Sequence, residues 1–182
     1  MEVRDFAMIL LMMAGFCRES EIVNLRAEDV WFDTIDGKDG KQERVLFLFE
    51  EKSKTDQERS GHQVVFGSAE DPSVCPLRWA ERYMEMRDKK SQFFFHQVSN
   101  VEGLSTTTPN TRLKQWLTRI GVDPTEFGSH SGRAGGTTAA TRHGVPVHKL
   151  MRHGNWRSDA VFVYMRTNWA DMLEVSRAAL RC

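Results

Sequence analysis

Hydrophobic and polar positions follow two different periods along the chain, and the change of period divides it. Glu2–Phe16 is apolar nearly all round from Phe6 onward, which predicts a buried helix that Gly15 ends. Ser20 can offer its hydroxyl to an orphan amide, predicting a short second helix over Glu21–Leu25. Asp29–Ile35 and Arg44–Glu50 are rich in strand-forming residues and flank the turn Asp36-Gly37-Lys38-Asp39-Gly40, a hairpin pattern. A polar excursion, Glu51–Gly61, leads to a third short strand, His62–Phe66.

Everything later reads as helical. Pro76 stands where a first-turn proline belongs, followed by Leu77, Ala80, Tyr83, Met84 and Arg87 at helical spacing. Thr106–Pro109 opens a helix with Leu113, Trp116, Leu117 and Ile120 on one face. Ser131–Arg142 is a small-residue helix whose Ala134-Gly135-Gly136 suits close packing, and Pro146–His153 and Ser158–Tyr164 are short helices. Trp169–Leu180 is an amphipathic tail. The expected fold class is α+β: mostly helices, with a small three-stranded antiparallel sheet in the N-terminal half.

Composition narrows this further. A length of 182 residues suits one domain, with 27% charged and 10% aromatic residues typical of a globular chain. Cys17, Cys75 and Cys182 are odd in number and widely spaced, which argues against a disulfide framework or a zinc ribbon. The longest apolar run, the eleven residues Phe6–Phe16, is too short to span a bilayer and makes a poor signal peptide. The expected setting is intracellular, with no membrane partner: the nucleus if the source is eukaryotic, otherwise the cytoplasm.

A formal net charge of zero hides an asymmetry. Residues 1–90 carry 14 basic and 19 acidic side chains, whereas residues 91–182 carry 11 and 6. No Asp or Glu occurs from Phe127 to Ser158, a stretch holding Arg133, Arg142, Lys149, Arg152 and Arg157 with His130, His143, His148 and His153. Local field, not net charge, attracts phosphates, so this acid-free segment is a candidate polyanion face. His143, His148 and His153 recur every fifth residue, about 140° apart on a helix, which disfavours a metal triad; no metal and no cofactor are expected.

Four separated segments carry the candidate chemistry. They are Gly15-Phe16-Cys17-Arg18-Glu19-Ser20-Glu21, Lys52-Ser53-Lys54-Thr55-Asp56, His130-Ser131-Gly132-Arg133, and Gly154-Asn155-Trp156-Arg157-Ser158-Asp159-Ala160 followed by Tyr164. In this order and spacing they resemble the catalytic domain of the tyrosine recombinase (phage integrase) family, from about Val3 to Leu180. The Trp–x–Ser–Asp–Ala…Tyr variant looks most like recombinases of eukaryotic tyrosine-recombinase retroelements.

The resemblance implies metal-independent cleavage and rejoining of double-stranded DNA through a 3′-phosphotyrosyl link. It matches Arg18 and Arg133 to the two phosphate-binding arginines, which fork onto phosphate and stay charged at any working pH. His130 matches the base and Lys54 the general acid, with Lys52 its rival on the same strand face. Glu21 matches a buttressing acid and Tyr164, 31 residues after Arg133, the nucleophile. A free tyrosine is only about one part in a thousand ionised at pH 7, a shortfall of about 4 kcal/mol that cations and a base must offset. Trp156 lies eight residues before Tyr164 and Asn155 nine, so both are candidates for the His/Trp position, with Trp156 preferred.

The same resemblance implies a single catalytic domain over 1–182, with the family's N-terminal DNA clamp absent from this chain. It also implies a homotetramer on paired sites; the helix at 168–180 either docks on a neighbouring protomer in that assembly or folds back on its own domain. Lys52, Arg142, Lys149, Arg152 and Arg157 are candidate DNA contacts. Competing readings are a type IB topoisomerase and a catalytically inactive DNA-binding relative.

Overall fold

The computed structural model describes residues 2–37, 39–50, 61–165, 173 and 177–179. The expected lysines Lys52 and Lys54, and most of the expected tail helix at 168–180, lie outside the described residues.

The chain opens with α1 (Glu2–Ala14) and α2 (Glu19–Val23), followed by β1 (Val30–Asp36), β2 (Gln42–Glu50) and β3 (His62–Phe66). The helices α3 (Pro76–Met86), α4 (Thr108–Arg119), α5 (Ser131–Arg142), α6 (Val147–His153) and α7 (Val161–Tyr164) complete it, with 3-10 turns at Pro72–Val74 and Pro124–Glu126. The sheet order is β1-β2-β3, antiparallel throughout, with Trp31 opposite Phe47 and Phe47 opposite Val65. The α+β expectation therefore holds, and the strands stand where the apolar pattern put them.

The organising element is α1, which packs against α3, α4 and α5. Its Ala7, Met8, Leu11 and Met12 join Ile22, Leu46, Leu48, Val64, Phe66, Leu77, Ala80, Phe94 and Phe95 in the main core. A second, smaller cluster of Phe16, Leu150, Trp156 and Val161, with Tyr164 packed on it, covers the C-terminal side of α1.

Two expectations need correction, and one feature of α1 was not expected. Ser20 does not cap α2: Arg18 occupies the N-cap, and the Glu21 carboxylate accepts its backbone N–H at 2.5 Å, because a carboxylate one turn into the helix reaches back across the orphan amide. Part of the first turn of α1, ahead of the apolar run that starts at Phe6, is buried as well. Arg4 and Asp5 are both buried, with Arg4 donating to Asp5 Oδ1 at 2.9 Å and to the His96 carbonyl at 3.0 Å. The segment after α3 is not helical. Its residues Phe94 and Phe95 are fully buried in irregular backbone, which is tolerable because the Arg87 guanidinium donates to the carbonyls of Ser91, Phe93 and Phe94.

Of the small residues in α5, one governs helix contact. A Cβ on Gly136 would stand 2.0 Å from the Met13 carbonyl oxygen, whereas one on Gly135 would meet nothing nearer than the Met13 Cε at 4.0 Å. The close approach of α1 to α5 therefore depends on Gly136. Replacing it with Ala is expected to destabilise the protein by about 1–3 kcal/mol despite Ala's better helix propensity, while Gly135→Ala is neutral or stabilising. Urea unfolding of the two variants checks this contrast; equal effects would remove the packing argument.

Candidate active site

Two sharp turns build the site. At the end of α1, Gly15 cannot carry a side chain, since a Cβ there would stand 2.7 Å from the Phe66 ring and 2.9 Å from the Leu11 carbonyl. Phe16 then takes φ 53°, a left-handed conformation that a bulky residue adopts only when its surroundings fix it. Asn155, φ 51°, makes the matching turn after α6. Gly154 before it lies directly against the Trp156 ring, 2.1 Å from where a Cβ would be.

Arg133 joins these turns. Its side chain is 2% exposed, with Nη1 donating to the Phe16 carbonyl and Nη2 to the Gly154 carbonyl, each at 2.6 Å. The guanidinium carbon lies 4.1 Å from the Trp156 ring centre and 5.6 Å from that of Tyr164. Its Nε is buried with no hydrogen-bond partner among the described residues. Burial, then the like charge of Arg18, lowers the pKa of Arg133, and Glu21 opposes both. Glu21 serves both arginines: Arg18 Nη1 donates to its Oε1 at 2.5 Å, and Arg133 Nη1 lies 3.8 Å from its Oε2.

The sequence candidates from three distant segments thus converge. His130 is the N-cap residue of α5 and lies 6.1 Å from Tyr164, ring centre to ring centre; Trp156 lies 5.5 Å from Tyr164. Tyr164 ends α7, and its carbonyl accepts the Thr138 hydroxyl at 2.9 Å, which ties α7 to α5. Tyr83, the other tyrosine, is buried and stacked on Phe95 at 5.1 Å.

Other candidates stand apart. Arg142 is at the opposite end of α5 from His130, about 18 Å along the axis for a twelve-residue helix. Lys149 lines a groove on the α1–α5–α6 side, and Arg152 and Arg157 are exposed near α6. His153 turns inward, its Nε2 donating to the Ala14 carbonyl at 2.8 Å and its ring edge-on to Phe16. Among the described residues no group of three or more His, Cys, Asp or Glu is placed to hold a metal, and no helix is long and apolar enough to cross a membrane.

Two residues beside the arginines escaped the sequence reading. The Cys17 thiol, 2% exposed, hydrogen-bonds the Glu50 carboxylate at the end of β2. Burial and the nearby Glu21 charge push Glu50 up to about 7, and burial with the two carboxylates pushes the Cys17 thiol up as well. The signal was present in the strand alternation, since Leu46, Leu48 and Glu50 share one face and the first two are fully buried.

A carboxyl whose pKa is raised on folding contributes stability at acid pH that is lost as the pH climbs through its folded value. Relative to wild type, Glu50→Gln should therefore gain about 1–3 kcal/mol of stability between about pH 5 and pH 8. Unfolding midpoints across that range check it; parallel curves would place the Glu50 carboxyl in the ordinary range.

Comparison with known proteins accords with this geometry. The sequence profile of the phage integrase family matches residues 1–168. An integrase/recombinase XerD homologue from Selenomonas ruminantium is 27% identical over 162 residues, covering 86% of this chain and 45% of the relative. Among solved structures, XerA recombinase superposes with a TM-score of 0.70 at 15% identity, covering 100% of this chain and 60% of that one. XerH recombinase bound to its palindromic difH substrate gives 0.71 at 12% identity, covering 96% and 45%. The Tn1549 transposon integrase with transposon right-end DNA gives 0.59 at 12% identity, covering 97% and 58%. The chain thus spans about half the length of the relatives it resembles, and these likenesses show a shared fold. With the family profile matched over nearly its whole length, the chain belongs to the phage integrase family.

Proposed function

We propose that this chain is the catalytic domain of a site-specific DNA recombinase that cleaves and rejoins strands through a 3′-phosphotyrosyl intermediate. The observation that carries this reading is the convergence of Arg18, His130, Arg133, Trp156 and Tyr164 from three distant segments on one spot. The XerH and Tn1549 relatives are complexes with DNA, which supports double-stranded DNA as the partner.

The chemistry follows from the side chains. The Tyr164 hydroxyl attacks the scissile phosphorus while His130 takes its proton. The bond to the 5′-oxygen breaks, and Lys54 or its neighbour Lys52 returns a proton to that oxygen. Arg18 and Arg133 direct donors at the non-bridging oxygens, where negative charge grows. Trp156 holds the Arg133 guanidinium from one face, so the fork does not have to be ordered when DNA arrives. Asn155 is a positioning residue through its turn. Lys52, Arg142, Lys149, Arg152 and Arg157 then serve flanking phosphates, and this work on DNA fits the nucleus of a eukaryote or the cytoplasm of a prokaryote. The resemblance to eukaryotic retroelement enzymes rests on the Trp156–Ala160 motif and its spacing to Tyr164; the relatives described above support the family and not that subgroup.

Assembly as a homotetramer on paired sites is part of the same reading. The place proposed for the segment 168–180 of a neighbouring copy is an open, largely apolar groove of about 630 Å³, lined by Leu10, Met13, Phe16, Val145, Leu150 and His153.

Nicked duplexes with randomised sequence, incubated with the protein and resolved in SDS, test the chemistry. Wild type should yield a covalent adduct in excess chelator, Tyr164→Phe none, and Arg133→Lys at least about 100-fold less. Lys54→Ala should be slow with a normal 5′-oxygen and restored by a 5′-sulfur leaving group, which needs no proton. An adduct persisting in Tyr164→Phe would move the nucleophile elsewhere. Ending the chain at residue 167 should leave cleavage intact and abolish complexes that hold two duplexes together, read by light scattering; unchanged assembly would refute the groove's role.

A further inference from the structure

The cleavage chemistry leaves the Glu50 carboxyl and the Cys17 thiol of the site unused. Glu50, Cys17, Glu21, Arg18 and Arg133 form one cluster contributed by β2, the α1–α2 turn, α2 and α5, with Cys17 and Arg133 buried and Arg18 and Glu50 half-buried. Glu21 lies between the arginines, so its charge offsets one of the two. Glu50 decides the remainder. With its carboxyl ionised the cluster is neutral; with it protonated the cluster carries one net positive charge. A phosphodiester carries one negative charge, so the protonated cluster is its electrostatic complement.

We propose that Glu50 is a positioning residue whose carboxyl takes up a proton from water when a DNA phosphate docks on Arg18 and Arg133, coupling phosphate binding to pH. This rests on the phosphate-site reading above. The carboxyl is out of contact with the chemistry and acts through the field at the arginines, with the Cys17 thiol as its hydrogen-bond partner. An anion entering beside it adds a like charge, which favours the neutral acid further. Linkage then requires that protonating Glu50 tighten phosphate binding by the same factor.

The charged and titratable groups facing Glu50 from the described elements fit this role. The Cys17 thiol, Arg133 and Arg18 favour its ionised form, while burial and Glu21 oppose it and prevail, which poises it near neutrality. On β3 its register partner is His62, whose Nε2 is engaged by the His153 carbonyl at 3.0 Å. His130 faces the same site from α5, and any proton it takes up is common to wild type and a Glu50 variant.

Calorimetric titration of the full chain with a mixed-sequence DNA duplex, in two buffers of different ionisation enthalpy, measures protons taken up on binding. Wild type should take up part of a proton between about pH 6.5 and pH 8, and more than Glu50→Gln does. Between about pH 6 and pH 8.5 the wild-type Kd should rise about three- to tenfold more than that of Glu50→Gln. Zero uptake by wild type, or binding with uptake and pH dependence equal in the two proteins, overturns the coupling and leaves the phosphate site standing. Failure of wild type to bind duplex at any pH overturns the phosphate-site reading, and the coupling with it. The wild-type measurement needs no variant to fold.

Discussion

One buried guanidinium holds the site in register. Arg133 donates to two backbone carbonyls, of Phe16 and of Gly154, that lie at the ends of α1 and α6, 138 residues apart. A buried charge is tolerable only when its hydrogen bonds are met, so wherever Arg133 goes these turns must follow. The left-handed backbone at Phe16 and Asn155 is the local cost of presenting those carbonyls, and at Gly15, Gly136 and Gly154 neighbouring groups come too close for a side chain. Strain is concentrated where the function needs it.

The electrostatics follow from that arrangement. Drawing Arg133 out of water beside Arg18 raises the energy of both charges, and Glu21 compensates by bonding one and approaching the other. The same carboxylate closes the cap on α2, so the fold of a five-residue helix and the charge of the site depend on one side chain. Glu50 then stands near two arginines and another carboxylate, and its proton becomes sensitive to whatever anion the arginines hold.

Much of this was legible in the chain. The strand alternation gave β2 and β3 nearly to the residue, and Arg18, His130, Arg133, Trp156 and Tyr164 could be singled out by type and spacing. The polar core of α1 was not legible, because Arg4 and Asp5 look like any first-turn charged pair until the His96 carbonyl arrives from 92 residues away. Nor was the irregular burial of Phe94 and Phe95, which depends on Arg87 satisfying three carbonyls. Cys17 and Glu50 were passed over since neither has a partner within its own segment.

By itself, then, the sequence determined the elements, the candidate side chains and the acid-free stretch, because periodicity and residue chemistry are local properties. Only the tertiary structure decided which carbonyls hold Arg133, that Arg18 and not Ser20 caps α2, that Gly136 and not Gly135 sets the α1–α5 approach, and that Glu50 lies against the arginines. Those are contacts between segments far apart in the chain. Their strength depends on burial and on distances of a few ångströms, and neither exists until the chain has folded.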